Sequence, residues 1–392
     1  MGEKLAVNAL IMDERKAGIG NYAFQLFKAM ENIPLDFQVD VHIQGHMKKY
    51  FKDRPNLRFI PHRDFKSSRD RILYEQLIMP RIYNREGYGV VHFVDYLSPF
   101  LPIKAKRLFT FHDLAYFKLP QFFTLGSRLI KQFFTGWGVR RASGIICVSQ
   151  NTRKDLLEKY PFLDKDIVNV IHLAGESSLD VEDKQNTENK DEQTVNYDQN
   201  ILKKYGIYSR FILAVGTLEP RKNYEVLVEA YRELINRSDI PHKLVICGKK
   251  GWKYDGILDK LNHPDLKERV IITGYVPHGL LPVFYRQADL FVYPSLYEGF
   301  GLPPLEALSH GVPVITSNAA SLPEVVGDAA LTFEPDDVRK LTGLMLRVLE
   351  DDKLRSSLKE KGPERAKKFS WKITAEKTVE VYRHLLKEGE AI

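Results

Sequence analysis

The feature that most constrains this chain is a pattern written twice. Short apolar runs alternate with segments of helical spacing, first over residues 5–172 and again from residue 211 onward. In the first half the strand-like runs are Leu5–Ile11, Val39–His42, Val90–Phe93, Arg107–Phe111, Gly144–Val148 and Val168–His172. In the second half they are Phe211–Val215, His242–Cys247, Val270–Thr273, Leu290–Tyr293 and Val312–Thr316. Strands separated by helices must return to the same sheet in parallel, with helices covering both faces. The pattern therefore predicts two doubly wound, Rossmann-like α/β domains with their carboxyl edges facing across a cleft.

The chain has 392 residues, more than one ordinary domain holds. The predicted organisation is a first domain over 1–175, an acidic polar linker or insertion over 176–200, a second domain over 201–370 and a helical tail over 371–392. The tail has helical spacing at Ile373, Val379, Val381, Tyr382 and Leu385, and it is a candidate to cross back to the first domain. Hydrophobic residues make up 44%, which excludes global disorder. No apolar run reaches the roughly 20 residues of a membrane span, and the start of the chain lacks a signal-peptide core, so the cytoplasm is expected. Cys147 and Cys247 sit in separate apolar runs and read as buried free thiols.

Net charge is +7, and Met47–Arg85 is dense in Lys and Arg. Such a balance suits a phosphorylated substrate, an anionic membrane surface or nucleic acid. A basic nucleic-acid-binding protein is therefore the alternative of another class, although the stretch carries no reading motif. Leu125, Leu129, Phe133 and Trp137 recur every four residues among Arg128, Lys131, Arg140 and Arg141. That arrangement fits either a helix lying on an anionic membrane or one packed on its own domain.

Glu298 and Glu306 bracket Gly299-Phe300-Gly301-Leu302-Pro303-Pro304-Leu305, directly after the apolar run Leu290–Tyr293. A strand followed by a glycine loop and two helix-opening prolines puts both carboxylates at a carboxyl sheet edge. Ligands bind there in open α/β folds, and backbone N–H groups can meet an anion. Arg221-Lys222 follows the second half's first strand, and the pair suits a pyrophosphate or a merely solvated turn. Gly18-Ile19-Gly20 lacks the third glycine of a dinucleotide fingerprint, which disfavours NAD. His112 ends a strand, where it can meet a sugar hydroxyl or phosphoryl oxygen or serve structure. Asp164-Lys165-Asp166 lies in a polar turn, and the histidines form no ligand-like cluster, so no metal is expected.

Four segments carry a resemblance: Phe111–Tyr116, Val148–Thr152, Gly216–Asn223 and Tyr297–Ala307, the last continued by Gly311–Ile315. In these the chain resembles the retaining glycosyltransferases of family 4, which have the GT-B fold. The likeness is greatest to mannosyltransferase-type members that build bacterial surface polysaccharides. The resemblance implies that Arg221 and Lys222 grip the donor diphosphate, that Glu298 lies by the transferred sugar, and that Glu306 binds the ribose. It further implies donor contacts from the N-terminal glycine loop (Gly18, Gly20), from the loop opening at Gly216, and from backbone around Phe300, Gly301 and Leu302. Gly274, Tyr275 and Val276 would lie against the base, and His112 would serve in catalysis. No cofactor or metal is implied. The partners are a nucleotide sugar (GDP- or UDP-hexose, mannose as the lean), a saccharide or lipid-linked acceptor, and peripheral contact with an anionic membrane, with no nucleic acid.

Overall fold

The computed structural model describes residues 4–14, 18–175, 192–252, 254–261 and 263–387. The chain divides into two compact units, Met1–Leu173 with Ser370–Ile392, and Ala174–Phe369.

The first unit contains a seven-stranded sheet: β1 (Lys4–Asn8), β2 (Gln38–Gln44), β3 (Leu57–His62), β4 (Val90–Phe93), β5 (Lys106–Phe111), β6 (Gly144–Cys147) and β7 (Val168–Val170). Their order is β3-β2-β1-β4-β5-β6-β7, and every pairing is parallel. β1, β4 and β6 are buried along almost their whole length, as strands covered on both faces must be. β3 lies inside the basic stretch and is not apparent as a strand in the sequence. It is an edge strand: Leu57 and Phe59 point inward, while Arg58 reaches the buried Asp40 of β2 at 2.8 Å.

The helix Trp371–Lys387 belongs to this unit. His92 Nδ1 and Tyr382 Oη are 2.7 Å apart, Lys106 donates to the Leu385 carbonyl at 2.9 Å, and Arg383 pairs with Asp36 at 2.9 Å.

The second unit holds β8 (Phe211–Val215), β9 (Lys243–Cys247), β10 (Val270–Gly274), β11 (Leu290–Tyr293), β12 (Val314–Ser317) and β13 (Leu331–Phe333), in the order β10-β9-β8-β11-β12-β13. Alternation along β8 divides its side chains between two cores. Phe211, Leu213 and Val215 enter one, Ile212 and Ala214 the other. β13 escapes notice in the sequence because Phe333 is its one buried residue. Cys147 and Cys247 are free and buried in different sheets.

The segment 176–200 needs correction at its end. Residues 176–191 lie outside the described residues, but Glu192–Lys204 is a helix. Asp198 is buried and bonded to Arg286 at 2.8 Å and to Gln287 at 3.1 Å, and Ile201 and Leu202 enter the core. Its polar composition hid a packed face, because the one buried acid has charged and amide partners.

In each sheet the strand order reverses once, between β1 and β4 and between β8 and β11. Ligands of open α/β folds bind at this point, outside the carboxyl ends of the neighbouring strands. In the second unit the loops leaving those ends are the ones carrying Arg221-Lys222 and Glu298.

Candidate active site

The loop after β8 runs from Gly216 to a short 3-10 turn, Pro220–Lys222, and Asn223 then opens the helix Tyr224–Arg237. Asn223 adopts a left-handed conformation (φ 55°), and its side-chain amide donates to the carbonyls of Pro294 (3.2 Å) and Pro335 (2.7 Å). The Arg221 carbonyl accepts from Leu296 N–H at 2.9 Å and from the Ser295 hydroxyl at 3.1 Å. The two loops of the switch point are thus tied backbone to backbone.

These ties bring the charged groups together. Glu298 takes Arg221 Nη1 at 2.8 Å on one carboxylate oxygen and Lys222 Nζ at 2.6 Å on the other. The Lys222-bound oxygen also accepts from the hydroxyls of Tyr293 (3.0 Å) and Ser295 (2.5 Å). Lys222 donates to Tyr293 Oη at 2.6 Å, and Arg221 also bonds Glu219 at 2.7 Å and the Tyr297 carbonyl at 2.8 Å. Burial works against ionisation of Glu298, yet Arg221 and Lys222 overcome it and hold the carboxyl down at about 2. Burial pushes the Lys222 ammonium below its ordinary value, and Glu298 opposes that push.

Gly216 (φ +150°) adopts a backbone conformation that other residues rarely take, and a Cβ there would crowd Tyr224 Oη at 3.0 Å and touch Lys222 Cε at 3.4 Å. Gly301 (φ +119°) caps the helix Leu302–Ser309, and a Cβ there would meet Leu322 at 2.8 Å. Pro303 and Pro304 occupy its first turn and carry no N–H, so the backbone donors at this end are those of Gly301 and Leu302 and the loop before them. The Ser321 hydroxyl pins that loop, reaching the carbonyls of Glu298 (2.9 Å) and Phe300 (2.6 Å). Glu306 lies within the helix, buried, and accepts from Tyr285 Oη at 2.9 Å. At the end of β10, Gly274 is left-handed (φ 72°), and beyond it Tyr275 is exposed and Val276 is buried.

Three sequence candidates belong to the first unit. Gly18 precedes the helix Ile19–Met30 with φ 54°, and Gly20 packs against the Ile11–Met12 backbone. The His112 ring meets Tyr22 edge-on at 4.7 Å, and Nε2 donates to the Val94 carbonyl at 2.9 Å, which leaves Nδ1 as the lone-pair nitrogen of the neutral ring. Burial lowers the pKa of His112.

Residues 198–365 match the family model described as Glycosyl transferases group 1, and residues 17–174 match Glycosyltransferase Family 4. O-antigen chain mannosyltransferase B of Escherichia coli is 33% identical over 316 residues, covering 79% of this chain and 79% of that one. The chain belongs to glycosyltransferase family 4. Among solved structures, this glycosyltransferase is similar to sucrose-phosphate synthase from Thermosynechococcus elongatus, with a TM-score of 0.72 and 19% identity over 98% of this chain and 100% of that one. Anabaena HepE in complex with UDP-glucose gives 0.69 and 14% over 99% and 100%. At such identities the likeness shows the fold, two parallel-sheet α/β domains of the GT-B kind.

The structure adds residues to the candidate site that the sequence did not single out. Glu219, Tyr293, Ser295 and Ser321 are buried and hold Arg221, Lys222 or the Glu298 loop. Glu219 had a signal, since it shares the Gly216–Asn223 loop. The hydroxyl groups had none, because a serine or tyrosine at a strand end reads as ordinary core. The basic stretch Met47–Arg85 is largely neutralised in place. Lys48 pairs with Asp53, Lys49 with Glu14, Arg63 with Asp70 and Arg71 with Glu75. Asp164-Lys165-Asp166 is an exposed turn, and among the described residues no group of His, Cys, Asp and Glu could hold a metal ion.

Proposed function

We propose that this glycosyltransferase moves a hexose, mannose from GDP-mannose as the leading reading, from a nucleotide sugar to a saccharide or lipid-linked acceptor in cell-surface polysaccharide synthesis. Transfer retains the anomeric configuration and needs no divalent cation. One observation carries the donor side: Arg221 and Lys222 converge on the Glu298 carboxylate at the switch point of the second sheet, beside the helix opening at Leu302.

As the glycosidic bond breaks, negative charge grows on the departing diphosphate. Fixed cations and N–H groups in a buried setting stabilise that charge without reorganising. They take the part a bound metal plays elsewhere. Glu298 would accept sugar hydroxyls, Glu306 the ribose hydroxyls, and the Gly274–Val276 turn would border the base. His112 and the Gly18–Gly20 loop remain the first unit's candidate contacts to the sugar and its phosphates. The lean to mannose is supported by the E. coli relative, which is named as a mannosyltransferase. HepE was solved with UDP-glucose, which supports a UDP-sugar donor as the second reading.

No helix among the described residues is long and apolar enough to cross a membrane. A lipid-linked acceptor would then be met from the cytoplasm by peripheral contact with the inner face of the membrane. The deciding experiment is thermal stabilisation by GDP-, UDP-, ADP- and TDP-sugars with EDTA present. Stabilisation by one of them that disappears in Arg221→Ala identifies the donor and its metal independence together. Stabilisation that EDTA abolishes, or that survives Arg221→Ala, refutes the reading.

A further inference from the structure

The helix Leu125–Val139 buries only its last turn. Thr135, Gly136, Gly138 and Val139 are inside, and a Cβ on Gly138 would stand 3.1 Å from the Phe109 ring of β5. The rest projects: Leu125 is 65% exposed, Leu129 52%, Ile130 59% and Phe133 58%. A helix that stabilised the domain by packing would turn these side chains inward. Phe100, itself exposed, stacks on Phe134 at 4.9 Å and lies 5.7 Å from Phe133 and 5.1 Å from Trp137, and Leu101 beside it is exposed too.

The tract continues across a third element. Gln76 of the helix Ser68–Leu77 accepts from Phe100 N–H at 3.0 Å and donates to the Ser98 carbonyl at 3.2 Å. Leu73 and Leu77, one turn apart on that helix, are both at least half exposed. Three neighbouring elements of one unit thus present apolar side chains outward, a larger group than scattered surface leucines would give.

Charge selects the occupant. From Tyr96 to Ala142 the sequence holds eight Lys and Arg against one acid, Asp113; Arg107 is buried, Lys106 bonds the Leu385 carbonyl and Lys118 pairs with Asp155, which leaves Lys104, Arg128, Lys131, Arg140 and Arg141 for the surface. Acids on the adjoining helices are already engaged, Asp70 with Arg63 and Glu75 with Arg71. A second copy of this face would bring like charges together, which opposes self-association. An anionic bilayer offers apolar depth for the leucines and phenylalanines, and phosphates for the surrounding cations.

We propose that this face, Phe100-Leu101 with Leu125, Leu129, Ile130 and Phe133, docks the first unit onto an anionic phospholipid surface, with Leu73 and Leu77 at its border. Its purpose rests on the lipid-linked acceptor reading. Vesicle binding needs neither donor nor acceptor, however, so the two can fail separately.

The test is co-sedimentation of the full chain with vesicles of phosphatidylcholine alone and of phosphatidylcholine with phosphatidylglycerol. The parent binds the anionic vesicles, and added salt weakens that binding. Leu129→Ser/Phe133→Ser binds at least about tenfold more weakly at an unchanged melting temperature, since each lost side chain forfeits part of its burial in the bilayer. Arg81→Gln, whose guanidinium bonds the carbonyl of the bordering Leu77, and Lys104→Gln, both at exposed positions, each weaken binding by about fivefold, as expected for one cation near an anionic surface. Failure of the parent to bind anionic vesicles overturns the proposal, as does binding that Leu129→Ser/Phe133→Ser leaves intact. Equal binding to neutral vesicles overturns it too. So does a dimer seen by light scattering that the double variant dissolves while vesicles are ignored, which would make the face a contact between copies.

Discussion

Replacing Glu298 with glutamine tests the charge cluster directly. The carboxyl falls from its ordinary value of 4.5 to about 2, and its side chain is only 11% exposed. A shift of that size corresponds to about 3 kcal/mol of folding stability near neutral pH. Breaking a buried ion pair by removing one partner costs about 3–5 kcal/mol by a separate line of reasoning, and here the burial of Lys222 would then go unopposed. The two figures agree. For a unit of this size they translate into a melting transition lowered by roughly 6–20 °C. The sign with pH follows from the depressed carboxyl. Its contribution is whole above the unfolded value of 4.5 and disappears as pH falls toward 2, so parent and Glu298→Gln should converge over that window. Scanning calorimetry of both proteins across pH reads this. A variant that melts with the parent at neutral pH, or a gap that stays constant through the acid range, would show that Glu298 is not ionised against the two cations and would refute the reasoning.

Other expectations follow from single contacts. Arg221→Ala should lower the turnover number by on the order of 10²–10³, as for a lost oxyanion donor, read in a sugar-transfer assay with the donor found above. Tyr293→Phe keeps the ring but removes the hydroxyl between Lys222 and Glu298, and should cost about 1–3 kcal/mol in a urea titration because two buried charged groups each lose a partner. Gly301→Ala should cost about 1–3 kcal/mol from its backbone conformation, with more from the approach to Leu322, and should weaken diphosphate binding by displacing the start of the helix Leu302–Ser309.

Much of the fold is legible in the residues because parallel strands buried on both faces must be apolar throughout. Phe211-Ile212-Leu213-Ala214-Val215 is unmistakable for that reason. Leu57–His62 is not, since an edge strand exposes one face and spends it on Arg58 and His62. At the site, sequence order places Arg221-Lys222 and Glu298 after strands, but nothing linear says those strands are neighbours. The order β9-β8-β11-β12 supplies that adjacency. Sequence also cannot show that the two cations and the carboxylate satisfy one another without ligand. That depends on Asn223 and Ser295 tying loops more than seventy residues apart in the chain, as the Asn223–Pro294 bond does, and on Ser321 holding the Glu298 loop. The polar run ending at residue 200 misled for the opposite reason, because composition reports average solubility and not the one acid that finds an arginine.

The route of the chain has a consequence during synthesis. The first unit is closed by the helix Trp371–Lys387, whose Trp371, Tyr382 and Leu385 are buried and whose Tyr382 meets His92, 290 residues earlier in the chain. The second unit lies wholly within the interval and can reach its native state before that helix leaves the ribosome. The first must wait, with one flank of its sheet uncovered, until the helix has been made. Loss of that helix would therefore damage the half of the protein built well before it.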